Sequence, residues 1–148
     1  MAKKRSAPVG LLLPRRYRSP DIPMAAIRCY ARQIAERFQP DLIILFGSYA
    51  NGTPHEDSDV DLLVVMPAAN KVSQAVRIRL ALPAPFPMDL LVRTPEKLRR
   101  GLEEEDWFLR EIVGNGNVLY EAKNGPVGTE SRVRPRGRRE PRRIPRRV

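Results

Sequence analysis

The stretch at 42–66, LIILFGSYANGTPHEDSDVDLLVVM, constrains this chain more than any other. It opens on a short apolar run, Leu42 to Phe46, of the length and composition of a buried strand. Gly47-Ser48 and the turn-rich Asn51-Gly52-Thr53-Pro54 follow. A second apolar run occupies Val60 to Met66, with Asp59 and Asp61 at its mouth. Side chains alternate along a strand, so Asp59 and Asp61 project from the same side. Leu62 to Met66 are apolar at every position, which predicts a strand inside a sheet covered on both faces. Two carboxylates held together at the end of such a strand repel each other. A cation between them relieves that repulsion, and Mg²⁺ suits an all-oxygen donor set.

The spacing adds chemistry. Gly47-Ser48 is followed by the ten residues Tyr49 to Ser58 and then by Asp59-Val60-Asp61. Glycine admits the close approach of a phosphate to the backbone. The Ser48 hydroxyl, and the amides of a short helix opening at Ser48 to Asn51, would form an anion site. A short helix and a loop are what the gap needs to return the chain to a neighbouring strand. Together these residues resemble the signature of the nucleotidyltransferase superfamily that includes DNA polymerase β. Among its members the chain is most similar to the minimal nucleotidyltransferases, small proteins often paired with HEPN-domain toxins. The segments LVRTPEKL and VLYE toward the end of the domain share that similarity, which spans roughly residues 22–122.

The resemblance implies a set of roles. Gly47 and Ser48 would hold the phosphates of ATP. Asp59 and Asp61 would bind two Mg²⁺ ions, and Asp89 would supply the third carboxylate from a neighbouring strand and receive the acceptor's proton. Asp89 stands at the head of a third apolar run, Met88 to Val92, behind Pro87, which a strand tolerates at its first position. The implied reaction transfers AMP from ATP to a hydroxyl and releases pyrophosphate. The implied partner is a HEPN toxin modified on a tyrosine, with this chain as its antitoxin. Neutralisation by binding alone, and adenylyl transfer to a small molecule, remain alternatives.

The rest of the domain supports these strands. A helix is expected from near Asp21, with Ser19 or Asp21 as cap and Pro20 or Pro23 in its first turn. Ile27, Tyr30, Ala31, Ile34, Ala35 and Phe38 recur along it at helical spacing. A second helix is expected over 69–82, where Val72, Ala75, Val76, Arg79 and Leu80 mix core and surface. Thr94-Pro95-Glu96 reads as a helix start. Leu98, Leu102, Trp107, Phe108 and Ile112 read as one or two packing helices, with Glu103 to Asp106 as a solvated joint. Gly114-Asn115-Gly116-Asn117 reads as a turn before a closing strand, Val118 to Glu121. His55, the single histidine, reads as a solvated loop residue, as do Glu56 and Asp57. Cys29 and Tyr30 read as core or flank of the first helix.

The formal charge of +10 belongs to the ends. Residues 1–20 hold six basic and no acidic residues, and 125–148 hold nine arginines against Glu130 and Glu140, which leaves 21–124 net acidic by three. Val127, Val133, Ile144 and Val148 are too sparse for a core, so a disordered Arg/Pro-rich tail is expected from 123 on, and a basic flexible arm over 1–20. Such tails would bind nucleic acid weakly and electrostatically. Cys29 is the single cysteine, which excludes an internal disulfide and suits a cytoplasmic location. No run approaches the roughly 18 apolar residues of a membrane helix. The expected architecture is α/β (α+β): one nucleotidyltransferase domain over 21–122, a short mixed β-sheet with helices packed mainly on one side.

Overall fold

A computed structural model describes residues 16–123. Residues 124–148 of the tail expected from 123 on, residues 1–15 of the arm expected over 1–20, and nucleic-acid binding by either lie outside the described residues. The chain runs α1 (Met24–Phe38), β1 (Leu42–Phe46), α2 (Ser48–Asn51), β2 (Val60–Val65), α3 (Lys71–Ala81), β3 (Met88–Arg93), α4 (Pro95–Glu103), α5 (Trp107–Asn115) and β4 (Asn117–Glu121). The four strands form one mixed sheet in the order β3-β2-β1-β4. β1 pairs antiparallel with β2 and β4, while β2 and β3 run parallel. The parallel pair needs a crossover, and α3 supplies it.

Strand alternation divides the core in two. Ile43, Leu45, Val60, Leu62, Val64, Leu90 and Val92 face α1 and Ile78 of α3. Leu42, Ile44, Leu63 and Val65 face Leu98 of α4 and Leu109 and Ile112 of α5. The first core is the larger, but the helices are not gathered mainly on one side as expected: α1 and α3 cover one face, and α4 and α5 the other. The second closes the other face, as the unbroken apolar run of β2 demands.

Ile27, Tyr30, Ala31, Ile34 and Ala35 are the buried residues of α1, as their spacing predicts. The helix starts later than expected: Pro23 is its N-cap, and no side chain caps it. Ser19 is engaged elsewhere, bonded to Tyr49 and to the Ser58 carbonyl. Residues 16–22 instead lie along the domain as a strap. The Tyr17 N–H donates to the Pro85 carbonyl at 2.7 Å, and Ile22 is buried. Tyr17 is half-buried against the larger core.

Two apolar readings are corrected. In α3 the buried residues are Gln74 and Ile78, while Val72, Val76 and Leu80 are exposed. Residues two apart on a helix point to nearly opposite sides, so an apolar row at 72, 76 and 80 cannot share the face of 74 and 78. Trp107 is 74% exposed, although its size and neighbours read as packing. Asp106 is not simply a solvated joint: its carboxylate accepts from the Phe108 and Leu109 amides and caps α5. The expected turn at 114–117 shortens to Gly116, since α5 runs through Asn115 and β4 begins at Asn117. The Thr94 cap of α4 is as expected, its hydroxyl accepting from the Lys97 amide.

Candidate active site

β2 begins at Val60, so Asp59 stands at its threshold and Asp61 is its second residue. Across the parallel pair Asp61 is level with Asp89, and across the antiparallel pair it is level with Phe46. Neighbouring strands lie about 4.8 Å apart, so Asp61 and Asp89 are direct neighbours. Alternation places both on the face of Leu63 and Val65, the side covered by α4 and α5. Asp59 lies two residues before Asp61 and is exposed, as is Asp89, while Asp61 is half-buried. Three carboxylates thus gather at one end of one face.

Their electrostatics follow from that placement. Burial first, then the charges of Asp89 and Asp59, together push Asp61 up to about 6. The site is therefore electrostatically strained as a protein alone. The donor set fits a hard divalent cation, since it is all carboxylate and its mutual repulsion falls when a cation binds. The side chains do not form a ready-made cage: among the described residues no three acidic, histidine or cysteine groups meet at ligand spacing.

The strain has a measurable pH dependence. A carboxylate raised on folding leaves its stabilising share intact below the unfolded value and loses it as pH rises through the folded value. For Asp61 the window runs from 3.8 to about 6. In chelator, the wild-type melting temperature relative to that of Asp61→Asn should rise as pH is lowered through this window. A constant difference across it would show that Asp61 is not held among like charges.

Gly47 explains why glycine precedes the serine. Its φ of 77° and ψ of −155° lie in a region that other residues avoid. A Cβ built there would lie well inside contact distance of Oδ2 of Asp61. The glycine therefore makes room for the Asp61 carboxylate. Ser48 opens α2, whose first amides have no intrahelical acceptor.

Sequence reasoning missed the supports of this corner. The Ser19 hydroxyl donates to the Ser58 carbonyl and accepts from the Tyr49 phenol at 2.9 Å. The strap thereby joins α2 to the residue before Asp59. Buried Ser58 also closes the loop, its Oγ accepting from the His55 amide at 2.9 Å. A serine directly before the first aspartate was the available signal. His55 itself is exposed, its Nδ1 accepting from the Asp57 amide at 3.4 Å, so it serves the loop. Glu56 and Asp57 are exposed. The aromatic residues beside the site also escape the sequence pattern, which predicts a buried strand end for Phe46 and helix packing for Trp107 and Phe108.

Two clefts, of about 650 and 530 Å³, lie away from the carboxylates. The first runs between Arg28, Arg32 and Tyr120, and the second between Tyr17, Tyr30 and Leu82. Size therefore does not locate the chemistry here. No helix among the described residues is long and apolar enough to cross a membrane.

A mixed four-strand sheet with a Gly-Ser turn leading into paired aspartates defines the nucleotidyltransferase class of fold. The chain belongs to that family: the nucleotidyltransferase domain model matches residues 27–115. No curated protein matches it. Similar solved structures include a protein from Sulfolobus solfataricus described as a nucleotidyltransferase, 17% identical over 69% of this chain and 83% of that one, with a TM-score of 0.45. Another is a toxin–antitoxin with AMP-PNP, 23% identical over 65% of this chain and 74% of that one, with a TM-score of 0.39. A third is a variant of the MntA–HpeT toxin–antitoxin, 22% identical over 69% of this chain and 76% of that one, with a TM-score of 0.40.

Proposed function

We propose that this chain is a Mg²⁺-dependent nucleotidyltransferase that moves AMP from ATP to a hydroxyl, in the first place a tyrosine, of a HEPN-family toxin, and so serves as its cytoplasmic antitoxin. The observation that carries the reading is the gathering of Asp59, Asp61 and Asp89 on one face, with Gly47 stripped of a side chain against Asp61. Those three carboxylates would hold the cations, two in the two-metal form of such sites. Bound there, Mg²⁺ supplies charge neutralisation to the triphosphate and the developing pyrophosphate.

The chain's own groups do the rest. Gly47 and Ser48 receive the phosphates at the start of α2. Exposed Asp89, on the edge strand β3, takes the proton of the acceptor hydroxyl. The acceptor oxygen bonds to the α-phosphorus as the bond to the pyrophosphate oxygen breaks, and pyrophosphate leaves. Among the described residues no tyrosine is placed to be that acceptor. The Tyr30 phenol is bonded to the Leu82 carbonyl at 2.6 Å, and Tyr49 to Ser19. Tyr120 lies in β4, and Tyr17 is held in the strap. An acceptor from another molecule fits this arrangement. The exposed apolar row on α3 favours a protein over a small molecule.

The test is incubation with labelled ATP, Mg²⁺ and the product of the neighbouring gene. Label should appear on a tyrosine or other hydroxyl residue of that partner and be lost with Asp59→Asn. Equal neutralisation by the Asp59→Asn protein, with no label on the partner, would replace the enzyme with an antitoxin that acts by binding.

A further inference from the structure

Trp107 is the least expected side chain in the domain. A lone exposed apolar side chain is ordinary, but a contiguous exposed apolar patch marks a contact site. Trp107 stands on an aromatic row that begins at the carboxylates. Phe46 lies level with Asp61 across the β1–β2 pair. Its ring meets Phe108 edge to face, with centroids 5.9 Å apart and an interplanar angle of 89°. Phe108 meets Trp107 in the same manner, at 6.3 Å and 83°. Exposure rises along the row, from half-buried Phe46 to Phe108 at 37% and Trp107 at 74%. The indole N–H has no hydrogen-bond partner among the described residues. Phe108 is the ring that supports it, and the rest of its surface is open.

We infer that Trp107 and Phe108 form a stacking ledge for the nucleobase of the substrate nucleotide, with purines preferred over pyrimidines. The inference rests on the reading of Gly47-Ser48 and the carboxylates as a nucleoside triphosphate site. With the phosphates held there, a nucleotide is long enough to lay its base on a row that starts beside Asp61. Every base has a π face, and an indole offers it a large one. The neighbourhood selects the neutral end of the nucleotide. Glu103, Glu104 and Glu105 lie just before Asp106 and this ledge and are exposed; Arg110 pairs with Glu105 at 4.0 Å, so the remaining acids disfavour a phosphate there. A purine covers more of the indole than a pyrimidine does. The ledge has no hydrogen-bonding pattern of its own to tell adenine from guanine.

Trp107 is the only tryptophan of the chain, so its emission reports this ledge alone. The full-length protein would be titrated with ATP, CTP and tripolyphosphate, each with Mg²⁺, by fluorescence and by calorimetry. ATP should quench Trp107 and bind more tightly than CTP. Tripolyphosphate should compete with ATP yet leave the emission unchanged. Trp107→Leu, checked for an unaltered melt, should weaken ATP binding roughly 5- to 150-fold, leave tripolyphosphate binding unchanged and be partly rescued by Trp107→Phe. ATP binding that tripolyphosphate displaces, with no change in emission and no loss in Trp107→Leu, would overturn the ledge and leave the triphosphate site standing. Emission that responds to a protein partner and never to a nucleotide would overturn it too, making the row a docking surface. Absence of binding by all three probes would sink both the ledge and the site beneath it.

Discussion

Asp61→Asn is expected to abolish nucleotide transfer and at the same time raise the melting temperature of the metal-free protein. Asp61 is half-buried, level with Asp89 and two residues from Asp59. At neutral pH its charge is opposed by burial first and by those two neighbours next. Asparagine keeps the shape and removes the charge. Solvent screens a group this accessible, so the gain is on the order of 1 kcal/mol. For a domain of this size that corresponds to roughly 4–8 °C. On the proposed function the same change would remove a ligand of the cations, and transfer should fall by roughly 10²- to 10³-fold or more, the range for loss of one charge-stabilising group. Saturating Mg²⁺ and ATP should reverse the order of the two melts, since wild type gains through ligand linkage and the variant gains little. Thermal melts with and without Mg²⁺-ATP, beside a transfer assay, check all of this. A variant that melts lower than wild type in chelator would contradict the like-charge account of the site.

Gly47→Ala is expected to lose on both counts. The backbone at φ 77°, ψ −155° excludes a side chain on conformational grounds, at a cost of about 1–3 kcal/mol. The new methyl would also clash with Asp61 Oδ2, well inside contact distance. That carboxylate is the end of a side chain and can turn away, so the protein should still fold. Turning away takes Asp61 from its place beside Asp89. The melting temperature should drop by several degrees and transfer should fall nearly as far as in Asp61→Asn. The pair of variants therefore separates two causes of one inactive phenotype: a missing charge, which stabilises, and a displaced one, which does not. A Gly47→Ala protein with wild-type transfer would show that Asp61 is free to sit elsewhere.

Local pattern carried far into this structure where each residue's role depends on its immediate neighbours. β1 and α2 begin and end where the apolar run and the Gly-Ser turn place them. Thr94 caps α4 as Thr-Pro-Glu predicts. The family assignment was legible for the same reason: Gly47-Ser48 and Asp59-Val60-Asp61 lie within one short stretch.

Exposure was less legible. On α3 hydrophobicity named Val72, Val76 and Leu80, while the sheet buried Gln74 and Ile78, because the helix's rotation is set by where β3 lies. Trp107 is the same case on α5, where Leu109 and Ile112 take the core face. The supports of the site were hidden for a different reason. Ser19 meets Ser58 and Tyr49 across 39 and 30 residues, and no local pattern encodes such a contact.

By itself the sequence determined that two buried strands would be joined by a glycine-led turn, with a pair of aspartates on one side of the second. Backbone alternation and the exclusion of charge from an apolar run leave no other arrangement for those residues. Only the tertiary structure decided that Asp89 stands level with Asp61, since strand register depends on how α3 carries the chain between β2 and β3. It alone decided that Gly47 makes room for a carboxylate, and that an aromatic row runs from that carboxylate into solvent. Each of these is a meeting of residues far apart in the chain, and packing, not pattern, brings them together.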